Sequence, residues 1–528
     1  MKKWISFALS AFLLLGATAC QTATPSQRVL TADEVAALGN KLPDYSSSGK
    51  QFDFFGYSSI SSGKWTEYGV EYDCGQDLRT VEQFQMYKDA GFTFMHPQSI
   101  AGIQSGDNFV YASSELKKIL DLAQESGNDK VIVSDYRVNG IISNISNGKK
   151  AVKDGAFDTF ADTYEIFTDE GEVDQTALQN LMRSYMSEYT THPSYYGNLL
   201  PDEPAYKNFV GYGEVYRAIK NAYPDAYVLA NILPPAGFNT ESLDDIEISE
   251  AQLAEFEDTN APERLAAWKV YISSFLDETG IDYLMYDQYP VTYDGMHALY
   301  IRGLQVAAEV CKEKGVQLNF VAQTMTLNDT RIVDKAAAEW INNMLVGLGV
   351  QTIGYFTYFE RDYTNIETYT YNSTFVNHFG QKTPLYDIMQ KIMADNQRFA
   401  STVLSFKYNA SGVFSANLPK YGGEFITNCT ITDDFVKVSK VEVDKEAALV
   451  TELVDSANNR YMYMVQNIVD PVYTGSASWQ TTTLTFNETY NYALVWKNGE
   501  SQVVSLVDNQ YKVTQHPGQA VYVIPFNA

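Results

Sequence analysis

The feature that most constrains the fold is an alternation of apolar, strand-like runs and amphipathic helical stretches, repeated eight times between residues 51 and 402. In the helical stretches apolar residues recur at spacings of three and four, as they do between Leu116 and Ala123. Several strand-like runs are continuously apolar, which is typical of parallel strands covered on both faces. Eight such units predict an α/β fold of the (β/α)8, or TIM, barrel type.

The eight predicted strands are 52–57, 92–97, 130–135, a run within 195–206, 226–232, 281–290, 316–324 and 351–359. An open, doubly wound sheet is the alternative arrangement. Its dinucleotide-binding form has no support, because no Gly-x-Gly-x-x-Gly motif follows the first strand.

After about residue 403 the pattern changes to short runs with period-two alternation. Turn signals such as "KNGE" and "HPGQ" separate these runs, and no convincing helix is present. We therefore predict a C-terminal antiparallel β-sandwich over 403–528.

The first 20 residues have the pattern of a secretory leader. Lys2 and Lys3 precede a short apolar run, and "ATAC" ends at Cys20. The run is too short to span a bilayer comfortably. The ending resembles a bacterial lipobox, although Ala17 replaces the usual leucine. The resemblance implies cleavage before Cys20, a lipid anchor on its sulfur and a cell-surface or cell-envelope location; an ordinary secreted protein with a chance cysteine is the alternative.

Residues 21–50 are predicted to form a polar tether and a short helix, opened by a capping box from Thr31 to Glu34. The net charge of −27 argues against a nucleic-acid partner, which requires a basic surface. Aromatic residues make up 14% of the chain, including 38 tyrosines, which suits either sugar-binding surfaces or a tyrosine-rich core. The cysteines are widely spaced and have no nearby histidine cluster, so no metal site is indicated.

Barrel active sites lie at the carboxyl ends of the strands. Polar and aromatic residues end the predicted strands: Tyr57, His96, Asp135, Asp202, Glu203, Asn231, Tyr286, Asp287, Tyr289, Gln323, Tyr358 and Glu360. Such a ring suits hydrolysis of a glycosidic bond, which needs one protonated carboxyl and a second carboxylate. Adjacent acids such as Asp202 and Glu203 also raise each other's pKa, because like charges disfavour joint ionisation.

Three segments carry a resemblance to bacterial barrel proteins grouped with the glycoside hydrolases: "HPSYYGNLLPDEP" (192–204), "IDYLMYDQYP" (281–290) and "IGYFTYF" (353–359). The resemblance covers roughly residues 50–528. In the large retaining clan of barrel glycosidases the fourth strand ends in Asn-Glu, which implies that Glu203 is the acid/base and that Asp202 replaces the asparagine. The clan's nucleophile, a glutamate ending the seventh strand, is replaced by Gln323. The second carboxylate would then come from Asp287 or Glu360.

The sequence thus predicts a glycosidase that needs no cofactor, acting on an oligo- or polysaccharide. Glu203 would be the general acid, and Asp202 and Asp287 would supply the remaining negative charge. The predicted substrate contacts are His96, Asn231, Tyr286, Tyr289, Gln323 and Tyr358. Two alternatives stay open: a substrate-assisted hexosaminidase in which Asp202 orients a 2-acetamido group, and a non-catalytic carbohydrate-binding lipoprotein on a degenerate barrel.

Overall fold

A computed structural model describes residues 27–528 except 61–63, 68–69, 74–75, 98–114, 154–165, 169, 171, 239–245, 327–330, 361–372, 417–428 and 430–434. The predicted leader and Cys20 lie outside the described residues.

Eight parallel strands form the barrel: β1 (Asp53–Ser59), β2 (Phe94–Pro97), β3 (Val131–Ser134), β4 (Tyr195–Leu199), β5 (Tyr227–Leu229), β6 (Tyr283–Gln288), β7 (Gln317–Gln323) and β8 (Val350–Phe356). Each pairs with its neighbours in chain order except β5 and β6, which are the end strands of the sheet, and β8 pairs with β1. A single parallel bridge between Ile232 and Tyr286 joins β5 to β6. The predicted fold class is confirmed.

The helices are α1 (Ala32–Leu38), α2 (Val81–Asp89), α3 (Glu115–Ser126), α4 (Tyr136–Lys153), α5 (Gln175–Met186), α6 (Phe209–Ala222), α7 (Glu250–Ala254), α8 (Pro262–Thr279), α9 (Tyr300–Lys314), α10 (Lys335–Gly347) and α11 (Pro384–Val403). At least one helix follows each barrel strand, so the strands are covered on their outer faces. The Thr31–Glu34 capping box opens α1, as predicted. Among the helices of the described residues, none has the length and apolar character needed to cross a bilayer.

Aromatic rings fill much of the barrel. Tyr227 stacks on Tyr196 at a centroid distance of 5.4 Å and on Tyr283 at 5.7 Å. Ten of the twelve largest fully buried side chains among the described residues are tyrosines. The high tyrosine content therefore serves the core to a large extent. Close strand approach explains Gly197 in β4, since a methyl group there would overlap the Tyr227 carbonyl.

The described part of the C-terminal region has nine strands: β9 (Lys407–Ser415), β10 (Val438–Val443), β11 (Ala447–Asp455), β12 (Arg460–Asn467), β13 (Gln480–Phe486), β14 (Tyr492–Lys497), β15 (Glu500–Ser505), β16 (Gln510–Gln515) and β17 (Ala520–Phe526). One antiparallel sheet runs β15-β14-β17-β12-β11-β9, and the strand Arg28–Val29 pairs with β15 at its edge. A second antiparallel sheet runs β10-β13-β16. Side chains of both sheets, including Val465 and Leu484, share one apolar core.

The larger C-terminal sheet packs on α10 of the barrel. Gln466 donates a hydrogen bond to the Trp340 carbonyl at 2.8 Å, and Tyr522 donates one to the Asn343 carbonyl at 3.0 Å. Thr451 reaches the Gly347 carbonyl at 2.8 Å. These buried contacts join the C-terminal sheet to the helix that connects β7 and β8.

Candidate active site

Three acidic residues meet at the carboxyl ends of β4, β5 and β6 through Asn231. The Asn231 amide nitrogen donates to Asp202 Oδ1 at 2.9 Å and to Asp287 Oδ1 at 2.8 Å. The Asn231 carbonyl accepts a hydrogen bond from the backbone nitrogen of Glu203 at 2.9 Å. Asn231 therefore contacts the carboxylates of both aspartates through its side chain and the backbone of Glu203 through its own backbone.

The shared amide fixes how far apart two of the carboxylates are. Both aspartates accept a hydrogen bond from the same nitrogen atom, so their Oδ1 atoms lie close together. Their negative charges repel each other, which disfavours ionisation of both aspartates at once. The Asn231 Oδ1 atom is buried and has no hydrogen-bond partner among the described residues.

The backbone at Glu203 is left-handed, with φ of 46°. Such a conformation costs a non-glycine residue about 1–3 kcal/mol and persists only where its surroundings hold it. Here Tyr212 of α6 donates to the Pro201 carbonyl, and Tyr271 of α8 donates to the Pro204 carbonyl at 2.7 Å. In an extended strand Asp202 and Glu203 would point to opposite faces. The left-handed turn releases them from that alternation.

Burial and mutual repulsion shift the titration of all three acids. The side chains of Asp202 and Glu203 are exposed to solvent on one side. The protein that surrounds them on the other side partly desolvates their carboxyl groups. Burial, followed by the charges of Asp287 and Asp202, raises the pKa of Glu203 to about 8. Glu203 therefore keeps its proton to a higher pH than an ordinary glutamate does. Among the described residues, no group of three or more acidic, histidine or cysteine side chains is placed to hold a metal ion.

Asp287 is buried, with 8% of its surface exposed. Burial raises its pKa, and the Asp202 charge raises it further, while hydrogen bonds from Asn231 and Tyr289 oppose the rise. Burial also raises the pKa of Asp202, while hydrogen bonds from Asn231 and the Glu203 backbone and the nearby Tyr57 hydroxyl oppose the rise. The two aspartates are therefore the acids whose ionised forms receive hydrogen bonds.

Tyr57 in β1 and His96 in β2 lie side by side. Their ring centroids are 4.8 Å apart, and both residues are buried. The Tyr57 hydroxyl lies near Asp202 and lowers its pKa, but the two groups do not meet the geometry of a direct hydrogen bond. His96 Nδ1 accepts from the Ser58 backbone at 3.2 Å, and burial lowers its pKa to about 3. His96 is therefore a neutral residue that packs against Tyr57.

Tyr289 and Phe356 form a half-exposed aromatic pair. Their rings stack with centroids 5.7 Å apart, and the Tyr57 ring lies 6.3 Å from Phe356. Because Tyr289 also hydrogen-bonds Asp287, the pair lies beside the carboxylates. The sequence interpretation missed Phe356, although its place as the last residue of an aromatic strand was the available signal.

Tyr286 and Tyr358 are placed in the core. The Tyr286 ring packs edge-on against Trp268 and Phe320, and it has no exposed surface. Strand alternation explains this position, since Asp287, the next residue, belongs to the site. Tyr358 is enclosed by Tyr87, Phe92 and Phe375. The structure gives both tyrosines a packing role in place of the predicted substrate contact.

Gln323 connects two loops. Its amide accepts a hydrogen bond from the Val291 backbone nitrogen at 2.8 Å, and it donates to the carbonyls of Val291 and Met325 at 3.2 Å. The Gln323 side chain is thus engaged by backbone groups on both of its polar atoms. Gln323 holds the segment after β6 against β7, in place of the predicted sugar contact.

Asp135 and Glu360 are engaged in contacts of their own. Asp135 is fully buried and forms an ion pair with Arg137 at 2.8 Å. Glu360 accepts from the Ser373 backbone at 2.8 Å and lies 3.6 Å from His378. The sequence left Asp287 and Glu360 as candidates for the second carboxylate. Of these two, only Asp287 shares the Asn231 amide with Asp202.

No family model matches the sequence, and no curated protein matches it. Among solved structures, the chain is similar at low identity to several glycoside hydrolases. An Anoxybacillus α-amylase is 12% identical, covering 90% of this chain and 98% of its own, with a TM-score of 0.44. A Thermotoga petrophila endo-β-1,4-mannanase is 12% identical over 88% and 98%, with a TM-score of 0.40. A structure described as a glycoside hydrolase is 10% identical over 92% and 96%, with a TM-score of 0.45. TM-scores this low do not establish a common activity.

Proposed function

We propose that this protein hydrolyses glycosidic bonds. The observation that carries the proposal is the convergence of Asp202, Glu203 and Asp287 around one asparagine at the carboxyl ends of the barrel strands. Glycoside hydrolysis needs a carboxyl group that is protonated at the working pH beside one that is ionised. The raised pKa of Glu203 and the hydrogen bonds that stabilise the ionised aspartates support this assignment of roles.

In this mechanism Glu203 donates its proton to the oxygen of the leaving group. Asp287 acts on the opposite side as the second carboxylate, held in place by Asn231 and Tyr289. Asp202 stabilises the cationic transition state through its negative charge. The half-exposed rings of Tyr289 and Phe356 would pack on an apolar face of the sugar.

The test is a screen of aryl glycosides and natural glycans with the wild type, Glu203→Gln and the core control Tyr286→Phe. We expect turnover in the wild type and the control, and a loss of at least about a hundredfold in Glu203→Gln. Binding without turnover in the wild type would favour the non-catalytic alternative. Turnover confined to 2-acetamido sugars would favour the substrate-assisted one. NMR of the first-formed anomer would show whether Asp287 acts as nucleophile or as base.

We also propose that the protein is anchored in the cell envelope through Cys20. The leader-like sequence and its lipobox-like ending support this location. Membrane fractionation of cells that express the wild type or Cys20→Ala tests it. Wild-type protein found in the soluble fraction would argue against the anchor.

A further inference from the structure

A turn of the C-terminal region meets the segments that follow β6 and β7. The buried carboxylate of Asp470 forms an ion pair with Arg331, and Arg331 also lies 3.4 Å from the sulfur of Met296. A Cβ atom added to Gly295 would be 3.4 Å from the other oxygen of Asp470. The short hairpin 291–296, the segment after β7 and the turn 470–473 therefore form one joint.

Exposed apolar side chains concentrate at this joint. Tyr293 is 68% exposed, Ile332 60%, Val472 54% and Tyr473 42%. Trp479 adjoins them, because Ser478 beside it donates a hydrogen bond to the Tyr473 carbonyl at 2.7 Å. Only nine large apolar side chains among the described residues are this exposed, and these five make up the majority. We call these five residues the rim patch; such grouping marks a binding surface.

The hairpin that carries Tyr293 connects the rim patch to the strand that carries Asp287. The hairpin that carries Tyr293 begins four residues after Asp287, and Gln323 fixes its first residue, Val291, through both backbone groups. Tyr293 is six positions after Asp287 in the chain, so the two Cα atoms can be at most about 20 Å apart. That distance is a few sugar units.

The chemistry of the patch fits a neutral glycan. Flat aromatic and aliphatic surfaces pack against the apolar faces of sugar rings. The Arg331 guanidinium is engaged by Asp470, and the whole chain carries a net charge of −27, which disfavours polyanionic chains. We propose that the rim patch binds the part of a neutral polysaccharide that extends beyond the cleaved bond, so that the natural substrate is a long chain. This inference rests on the proposed function.

The test compares substrates of one sugar but different length, chosen from the screen above. The double variant Tyr293→Ala/Tyr473→Ala is expected to retain kcat/KM on a short aryl glycoside and to lose about tenfold on long oligosaccharides. Phe379→Ala, a matched control in an equally exposed aromatic outside the patch, is expected to change neither. Because all three side chains are exposed, the variants should fold as the wild type does. An unchanged length preference in the double variant, or the same loss in Phe379→Ala, would overturn the inference.

A binding measurement separates this inference from the proposed function. Glu203→Gln, with and without the two tyrosine substitutions, is run in affinity gels that contain starch, xylan, mannan or mixed-linkage β-glucan. Retardation that the tyrosine substitutions abolish supports the rim patch even if the wild type hydrolyses nothing, which would refute only the proposed function. Hydrolysis in the wild type without any patch-dependent retardation overturns the patch alone. Loss of a wild-type dimer in the double variant, with unchanged glycan binding, would identify the patch as a contact between copies and also overturn it.

Discussion

Replacing Asn231 by alanine removes the amide that bridges Asp202 and Asp287, and its effect on the pH profile can be worked out. The hydrogen bond from Asn231 lowers the pKa of Asp287, so its loss raises that pKa. A hydrogen bond to a buried charged group contributes about 1.5–3 kcal/mol, which corresponds to about one to two pKa units. The loss of the hydrogen bond to Asp202 is expected to change the pKa of Asp202 less, because solvent screens the charge of this exposed side chain.

The expected result is a shift of the acidic limb. If Asp287 must be ionised, activity falls as the pH drops through its pKa of about 7, so this limb moves to higher pH and the active range below the Glu203 limb near pH 8 becomes narrower. At a fixed pH below the limb, kcat/KM then falls about ten- to a hundredfold. The alkaline limb, set by Glu203, is expected to move less.

The assay is kcat/KM from pH 4 to 10 for Asn231→Ala, on the best substrate from the screen. Asn198→Ala is the matched control, since Asn198 is also a buried barrel asparagine and bonds only tyrosine hydroxyls in the described contacts. Thermal unfolding of both variants establishes that they are folded. A folded Asn231→Ala variant whose acidic limb stays where the wild type has it would refute the reasoning.

Glu203→Gln should raise the melting temperature more at pH 8 than at pH 5. The pKa of Glu203 is higher in the folded than in the unfolded protein, so its ionisation lowers the free energy of unfolding as the pH rises from about 4.3 towards 8. The glutamine variant does not ionise and lacks this loss. Equal increases in melting temperature at both pH values, measured by calorimetry, would contradict this reasoning. Asp287→Asn should lower the pKa of Glu203, because it removes the largest charge acting on it, and carboxyl titration by NMR would detect the shift. Tyr286→Phe should leave activity unchanged and keep or raise stability in a denaturant titration, because its buried hydroxyl has no partner among the described residues; a loss of turnover would restore it to the site. Gly197→Ala should destabilise by more than about 3 kcal/mol, since the methyl group meets the Tyr227 backbone, and a wild-type urea midpoint would refute that overlap.

The sequence was sufficient to place the barrel strands and the acids at their ends. Uninterrupted apolar runs identify parallel strands, and the rule that barrel sites form at the carboxyl ends selected Asp202, Glu203 and Asp287. Both arguments depend on local pattern alone. They work because each acid lies within a few residues of the strand that positions it.

What the sequence could not provide depends on contacts across the barrel. The role of Asn231 requires knowing that three strands bring their ends to within hydrogen-bond distance of one amide. The left-handed backbone of Glu203 depends on tyrosines of two helices that follow later in the chain. The placement of Tyr286 could have been inferred, because a side chain next to an inward-pointing Asp287 on a strand must point outward.

The two-residue strand Arg28–Val29 attaches the amino-terminal end of the described chain to the C-terminal sheets. It pairs with the edge strand β15, and Gln27 exchanges hydrogen bonds with Lys512 of the smaller sheet. Force on the preceding chain is therefore transmitted to the C-terminal sheets, as shear along β15. With a lipid on Cys20, the eight-residue span to Arg28 would hold that sheet edge within about 29 Å of the bilayer. The C-terminal region would then lie between the membrane and the barrel and connect the two.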